Sequence, residues 1–135
     1  MKILAIDYGQ KKFGIAISDE TLLVSSALPT VFCKDENDGL TKIINLIQEK
    51  SPDTILLGIP SGWQNIDSPQ TKIVRDFKLA LEKSSQIPII EWDESYSSKF
   101  SAKNLSGKQK KNSDSYAAAL ILQEYLDYLR YEKNK

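Results

Sequence analysis

Histidine is missing from the chain, cysteine occurs once, and neither sign of charge prevails: Lys+Arg and Asp+Glu each count 18, for a formal net charge of +0. Without histidine there can be no Ser-His-Asp or Cys-His triad, no imidazole general base and no His-ligated zinc. Cys33 has no second thiol with which to close an intramolecular disulfide. A balanced charge rules out a whole-molecule positive field, so any basic surface is local. No apolar run approaches the length that spans a bilayer, and no internal repeat or low-complexity tract is present. The chain enters a strand pattern at once, without a charged n-region, an apolar h-region and a small-residue cleavage site, so a cytoplasmic protein with no membrane partner is expected. Its 135 residues suit one domain, residues 1–135, with a real core but no second lobe. Chemistry must rest on carboxylates, lysines or hydroxyls.

What is present reads as alternating elements. Residues 2–7 and 13–18 are short apolar runs separated by the turn-like YGQKK, the pattern of a hairpin. Residues 22–32 offer a third strand, broken near Pro29. Leu40, Ile43, Ile44 and Ile47 recur at helical spacing, behind the acids Asp35, Glu36 and Asp38, which suit the positive end of a helix dipole. TILLGI at 54–59 is apolar on both faces, as a covered parallel strand requires. The polar loop PSGWQNIDS follows; Ser68-Pro69 then reads as an N-cap with proline at the first helical position, opening a helix striped by Ile73, Val74, Phe77 and Leu81. Residues 87–94 form a last strand ending in acid, a lysine-rich connection spans 99–111, and Asn112 or Ser113 can cap a C-terminal helix. That helix carries Ala117, Ala118, Ile121, Leu122, Tyr125 and Leu129 on one face. The predicted fold class is α/β, a five-stranded mixed sheet flanked by helices.

Two of these strands end in carboxylates: Asp7, and Asp93 or Glu94. Strand periodicity cannot choose between the last two, because one residue of slip exchanges the faces. Asp114 opens the C-terminal helix, with Ala117, Ala118, Ile121 and Tyr125 at helical spacing from it, which predicts an inward-facing charge. Taken singly, Asp7 reads as readily as a turn cap, and Asp114 as a residue favouring a helix N-terminus. Taken together they predict three acids converging beyond the carboxyl ends of parallel strands, where open α/β sheets bind ligands. Clustered carboxylates without imidazole or thiolate suit a hard, partly hydrated cation, Mg²⁺ or Mn²⁺. Two such ions would clamp the attacking and leaving oxygens of a phosphodiester without a separate protein base. Lys11, Lys12, Lys108, Lys110 and Lys111 are candidate phosphate contacts, although a lysine run also reads as a solvated surface. Gly9 permits either a positive φ or close approach of a phosphate to the backbone. Trp92 reads as core, Trp63 as a stacking platform for a base, and Tyr125, Tyr128 and Tyr131 as contacts in a dimer.

ILAIDYGQKKFGIAISD resembles the opening signature of the YqgF (RuvX-like) family, the Holliday junction resolvase and pre-16S rRNA nuclease group, whose members have a ribonuclease H-like fold. LLGIPSGWQNIDSPQT, WDESYSS and SDSYAAALILQEYL resemble its later motifs in the same order, so the resemblance covers nearly the whole chain. It implies that Asp7, Glu94 and Asp114 are the catalytic, metal-binding acids, choosing Glu94 over Asp93. It also implies a nuclease that processes the 5′ end of pre-16S rRNA in ribosome biogenesis, with structured precursor RNA and precursor ribosomal particles as partners. Resolution of branched DNA is the alternative. An actin-like phosphate or nucleotide binder using YGQKK as a phosphate loop is a reading of another class, disfavoured because those folds close two domains around the nucleotide. Nothing in the residues identifies a strong oligomer, so a monomer or weak dimer is expected. The chain departs from the family pattern at Ser95, where arginine usually follows the acid, and in a shorter stretch between Glu94 and Asp114. Lys99 or Lys103 would have to replace the bidentate guanidinium with a point charge.

Overall fold

The computed structural model describes residues 1–9, 11–59, 69–93 and 113–133, with the backbone alone at 69–71, 93, 113, 114 and 133. Five strands and three helices follow in the order β1 (Ile3–Asp7), β2 (Lys12–Ser18), β3 (Ser25–Phe32), α1 (Glu36–Lys50), β4 (Thr54–Ile59), α2 (Pro69–Ser84), β5 (Ile89–Asp93) and α3 (Ser113–Lys133). The sheet order is β3-β2-β1-β4-β5. β2 runs antiparallel to β1 and β3, whereas β1, β4 and β5 are parallel. The carboxyl ends of β1, β4 and β5 therefore lie along one edge of the sheet, and Asp7 ends the central strand.

Each face of the sheet has its own core. Leu4, Ile6, Phe13, Ile15, Ile55 and Leu57 pack against Ile43 and Ile47 of α1 and Val74, Phe77 and Leu81 of α2. Ile3, Ala5, Ala16 and Leu56 pack against Ala118, Ile121, Leu122, Tyr125 and Leu126 of α3. Strand alternation explains the division, since neighbouring residues point to opposite faces. All six residues of β4 are buried, which is why its sequence is apolar after Thr54.

Local chemistry sets the ends of α1. The Asp35 carboxylate accepts from the Asp38 N–H at 2.8 Å, and the Asp38 carboxylate reaches back to accept from the Lys34 N–H at 2.9 Å. This reciprocal cap begins the helix four residues before the first apolar position of its stripe, because acids near the exposed N–H groups of the first turn are favourable. At the other end Ser51 turns left-handed (φ 51°) and its N–H donates to the Ile47 carbonyl at 2.8 Å. Proline opens α2 as expected; its predicted cap, Ser68, lies outside the described residues, as does Asn112 ahead of α3.

The expected break in β3 is a slip in the ladder. Phe13 pairs with Val31 and Ile15 with Leu28, so Gly14 faces both Pro29 and Thr30. Proline has no N–H to give to a ladder, and a bulge accommodates it. Three expectations need correction. Strands β3 and β5 begin later than the apolar runs suggested, at Ser25 and Ile89. The buried stripe of α3 centres on Ser115, Ala118, Leu122 and Leu126, leaving Ala117 half-buried. Tyr125 belongs to the core, stacked edge-on against Trp92 with centroids 5.2 Å apart, and is not a surface contact; Tyr128 and Tyr131 are exposed.

Candidate active site

Asp7 is half-buried at the end of β1. It pairs with Gly14 of β2 and Gly58 of β4, and Gly58 pairs with Trp92 of β5. Alternation from Ile3 and Ala5 puts Asp7 in the rows facing α3, where Ala16, Leu56 and Trp92 also pack. The neighbours of Asp7 on both sides of the row are thus glycines. Neither contributes a side chain, so anything approaching the carboxylate along the sheet meets backbone.

Asp93 pairs with Ile59, whose side chain belongs to the α1–α2 core. The row of Asp7 ends instead at Trp92. Glu94, one position beyond β5, lies outside the described residues, and of Asp114 only the backbone is described, as the second residue of α3. Among the described residues no three acidic, histidine or cysteine side chains form a metal-holding group.

Lys11 and Lys12 flank the start of β2 and are exposed. The Lys11 carbonyl accepts from the Cys33 N–H at 2.9 Å, which ties this turn to the segment leading into α1. Gly9 is needed here for a reason other than positive φ, which no described glycine adopts. A Cβ at Gly9 would lie 2.4 Å from the Lys12 carbonyl oxygen, inside its own hairpin. Lys111, Lys108, Lys110 and Trp63 lie outside the described residues, as do Ser95, Lys99 and Lys103.

Trp92 is core, as read from the sequence. Its ring packs on Tyr125 and Tyr128, and its indole N–H donates to the Glu124 carboxylate at 3.4 Å. Burial pushes the Glu124 carboxyl above its ordinary value, while the bond from Trp92 pulls it down. The result is a buttress between β5 and the middle of α3.

The residue that the sequence reading missed is Ser115. Its hydroxyl is fully buried, accepts from the Ile15 N–H at 3.2 Å and lies 3.2 Å from the Thr30 hydroxyl. The signal was available: Ser115 stands three residues before Ala118 and seven before Leu122, a polar residue in the apolar stripe. Gly14 and Gly58 were legible too, since glycine inside a strand often marks close approach to backbone.

The model of the RuvX family, described as Holliday junction resolvase, matches residues 1–128. A relative from Syntrophus aciditrophicus (strain SB), provisionally named as a pre-16S rRNA nuclease, is 35% identical over 139 residues, covering 98% of this chain and 93% of its own. A Bacillus subtilis (strain 168) relative under the same name is 34% identical over 137 residues, covering 96% and 99%. Among solved structures, Thermus thermophilus RuvC in complex with a Holliday junction substrate superposes with a TM-score of 0.62 at 14% identity, covering 98% of this chain and 96% of that one. The fowlpox virus Holliday junction resolvase gives 0.59 at 19% identity, covering 95% and 99%. At such identities the structures establish the fold, which is ribonuclease H-like. By the match along nearly all of its length and by relatives above 30% identity, the chain belongs to the RuvX family.

Proposed function

We propose that residues 1–135 act as one nuclease domain, which hydrolyses phosphodiester bonds of precursor 16S rRNA with the help of divalent cations. The observation that carries this reading is the placement of Asp7: a carboxylate ending the central strand, on the face of α3, between two glycines that add no side chain to its row. Carboxylate oxygens are the donors a hard cation prefers, so the chemistry of Asp7 fits the group. Glu94 and Asp114 are the proposed companions, Glu94 following β5, which is parallel to β1, and Asp114 in the first turn of α3. When bound, two Mg²⁺ or Mn²⁺ ions would supply charge neutralisation at the attacking and leaving oxygens. Asp7 would hold the cationic centre at the sheet edge. Lys11, Lys12 and Lys111, with the backbone at Gly9, would hold flanking phosphates. The names of the relatives support precursor rRNA as substrate, and a cytoplasmic enzyme acting on precursor ribosomal particles follows from that reading; a monomer or weak dimer is proposed beside it. No helix among the described residues is long and apolar enough to cross a membrane.

Resolution of branched DNA is the second reading, favoured by the family description and by the likeness of fold to junction resolvases. A four-way junction needs two symmetric sites, hence a dimer. The deciding experiment compares cleavage of precursor rRNA and of a four-way DNA junction by wild type and Asp7→Asn, with Mg²⁺ or Mn²⁺. The expected result is RNA cleavage at the 5′ end by wild type and a loss of at least about 100-fold in the variant, the upper end of effects from residues merely supporting a metal ligand. Full activity of Asp7→Asn would remove Asp7 from the site. Preferential cleavage of the junction would move the assignment to the second reading, and cleavage of neither would end both.

A further inference from the structure

The buried hydroxyl of Ser115 is a polar group in an otherwise apolar helix face, and burying such a group is costly unless it is bonded. Its partners lie where the β2–β3 ladder slips. Ser115 Oγ accepts from the Ile15 N–H, the residue after Gly14, and Gly14 is the β2 partner of Asp7. The Thr30 hydroxyl, on the β3 side of the same slip, lies 3.2 Å from Ser115 Oγ. A hydroxyl that accepts from an amide still has its own proton to donate, so the half-buried Thr30 Oγ1 can take it and the buried Ser115 hydroxyl is satisfied both as acceptor and as donor. This bond crosses 100 residues of sequence and fastens the first turn of α3 to the strand beside Asp7.

We propose that Ser115 is a positioning residue of the active site: through Ile15 and Thr30 it fixes the first turn of α3, and with it Asp114, relative to Asp7. Apolar packing further along α3 tolerates small sliding and rotation, because it is non-directional. A hydrogen bond to a single strand amide does not. The inference rests on the reading that Asp7 and Asp114 serve one divalent-cation site.

The test measures Mn²⁺ binding to the full chain without nucleic acid, by calorimetry and by the electron-paramagnetic signal of free ion, in wild type, Ser115→Ala, Thr30→Val and Ile121→Val. Ile121→Val loosens the same helix–sheet contact without touching the hydroxyls. Residues that orient metal ligands typically change affinity 10- to 100-fold, so Ser115→Ala is expected to bind Mn²⁺ about 10-fold more weakly, with Thr30→Val shifted in the same direction and Ile121→Val unchanged. Amide exchange at Ile15, faster in Ser115→Ala, reports that the bond has been removed in a folded protein. Wild-type binding with equal affinity in Ser115→Ala overturns the positioning role and leaves the nuclease reading standing. An equal loss in Ile121→Val also overturns it, by showing that any loosening of α3 suffices. Failure of wild type to bind Mn²⁺ removes the metal reading and the positioning role together.

Discussion

At the scale of single residues, the hairpin after Asp7 separates two uses of a glycine. Gly9 does not adopt a positive φ; it is small because the Lys12 carbonyl oxygen occupies the space a Cβ would need, at 2.4 Å. Backbone cannot swing aside as a side-chain tip can, so Gly9→Ala should open the hairpin. The expected loss is about 1–3 kcal/mol, the range for overpacking that forces backbone shifts, measured by denaturant unfolding. Activity should fall alongside stability, because the strained turn carries both Asp7 and Lys12. A Gly9→Ala protein of wild-type stability would show that the turn has room. Gly58 is the contrasting case: it sits in the row of Asp7, and Gly58→Val would place a branched side chain beside the carboxylate. Cleavage should drop about 100-fold, the scale of loss when reacting groups are displaced by about 1 Å, with kinetics and unfolding curves compared on the same preparation.

At the scale of elements, α1 shows packing and propensity in opposition. Alanine is favoured over glycine within a helix by about 1 kcal/mol, so propensity alone would make Gly39→Ala stabilising. Yet a Cβ there would come within 2.7 Å of the fully buried Phe13 ring. Phe13 is wedged against Tyr8 and Phe77, with centroids 5.1 and 5.3 Å away, and cannot retreat. Overpacking of about 1–3 kcal/mol therefore outweighs the gain, and Gly39→Ala should lower the unfolding midpoint. The cap of the same helix has a pH signature. The Lys34 N–H bonded to Asp38 is the main cause that holds its carboxyl below the ordinary value, with Lys42 adding to it. A depressed folded value means that this contribution is fully present above the ordinary carboxylate range and disappears as pH falls through the depressed value. Asp38→Asn should reduce stability near neutral pH, and the difference from wild type should close on acidification, as thermal unfolding across pH would record.

At the scale of the whole molecule, zero net charge means that attraction to a polyanion must come from a local surface. Lys11 and Lys12 are exposed beside the hairpin that leads away from Asp7. If they and Lys108, Lys110 and Lys111 contact phosphates, replacing all five with alanine should flatten the dependence of log affinity on log salt by about 3 to 4, at roughly 0.7 per contact on single-stranded RNA. Metal binding should be unaffected. An unchanged slope would make these lysines ordinary solvated surface.

Element order, the double covering of 54–59, the hairpin and the acid that ends β1 were legible from local pattern, because these follow from periodicity, turn chemistry and burial along a few neighbouring residues. The same local rules could not choose between Asp93 and Glu94. Only the parallel register did part of that work, by setting Asp7, Gly58 and Trp92 in one row and pairing Asp93 with Ile59. Nor could periodicity centre the stripe of α3, which depends on where a helix lands on a sheet formed by residues about 100 positions away. Ser115 is a polar residue at a buried position of the helix face that is otherwise apolar. It is buried because tertiary packing brings it to a slip in the ladder where an amide and a hydroxyl await a partner, and no local pattern encodes that meeting.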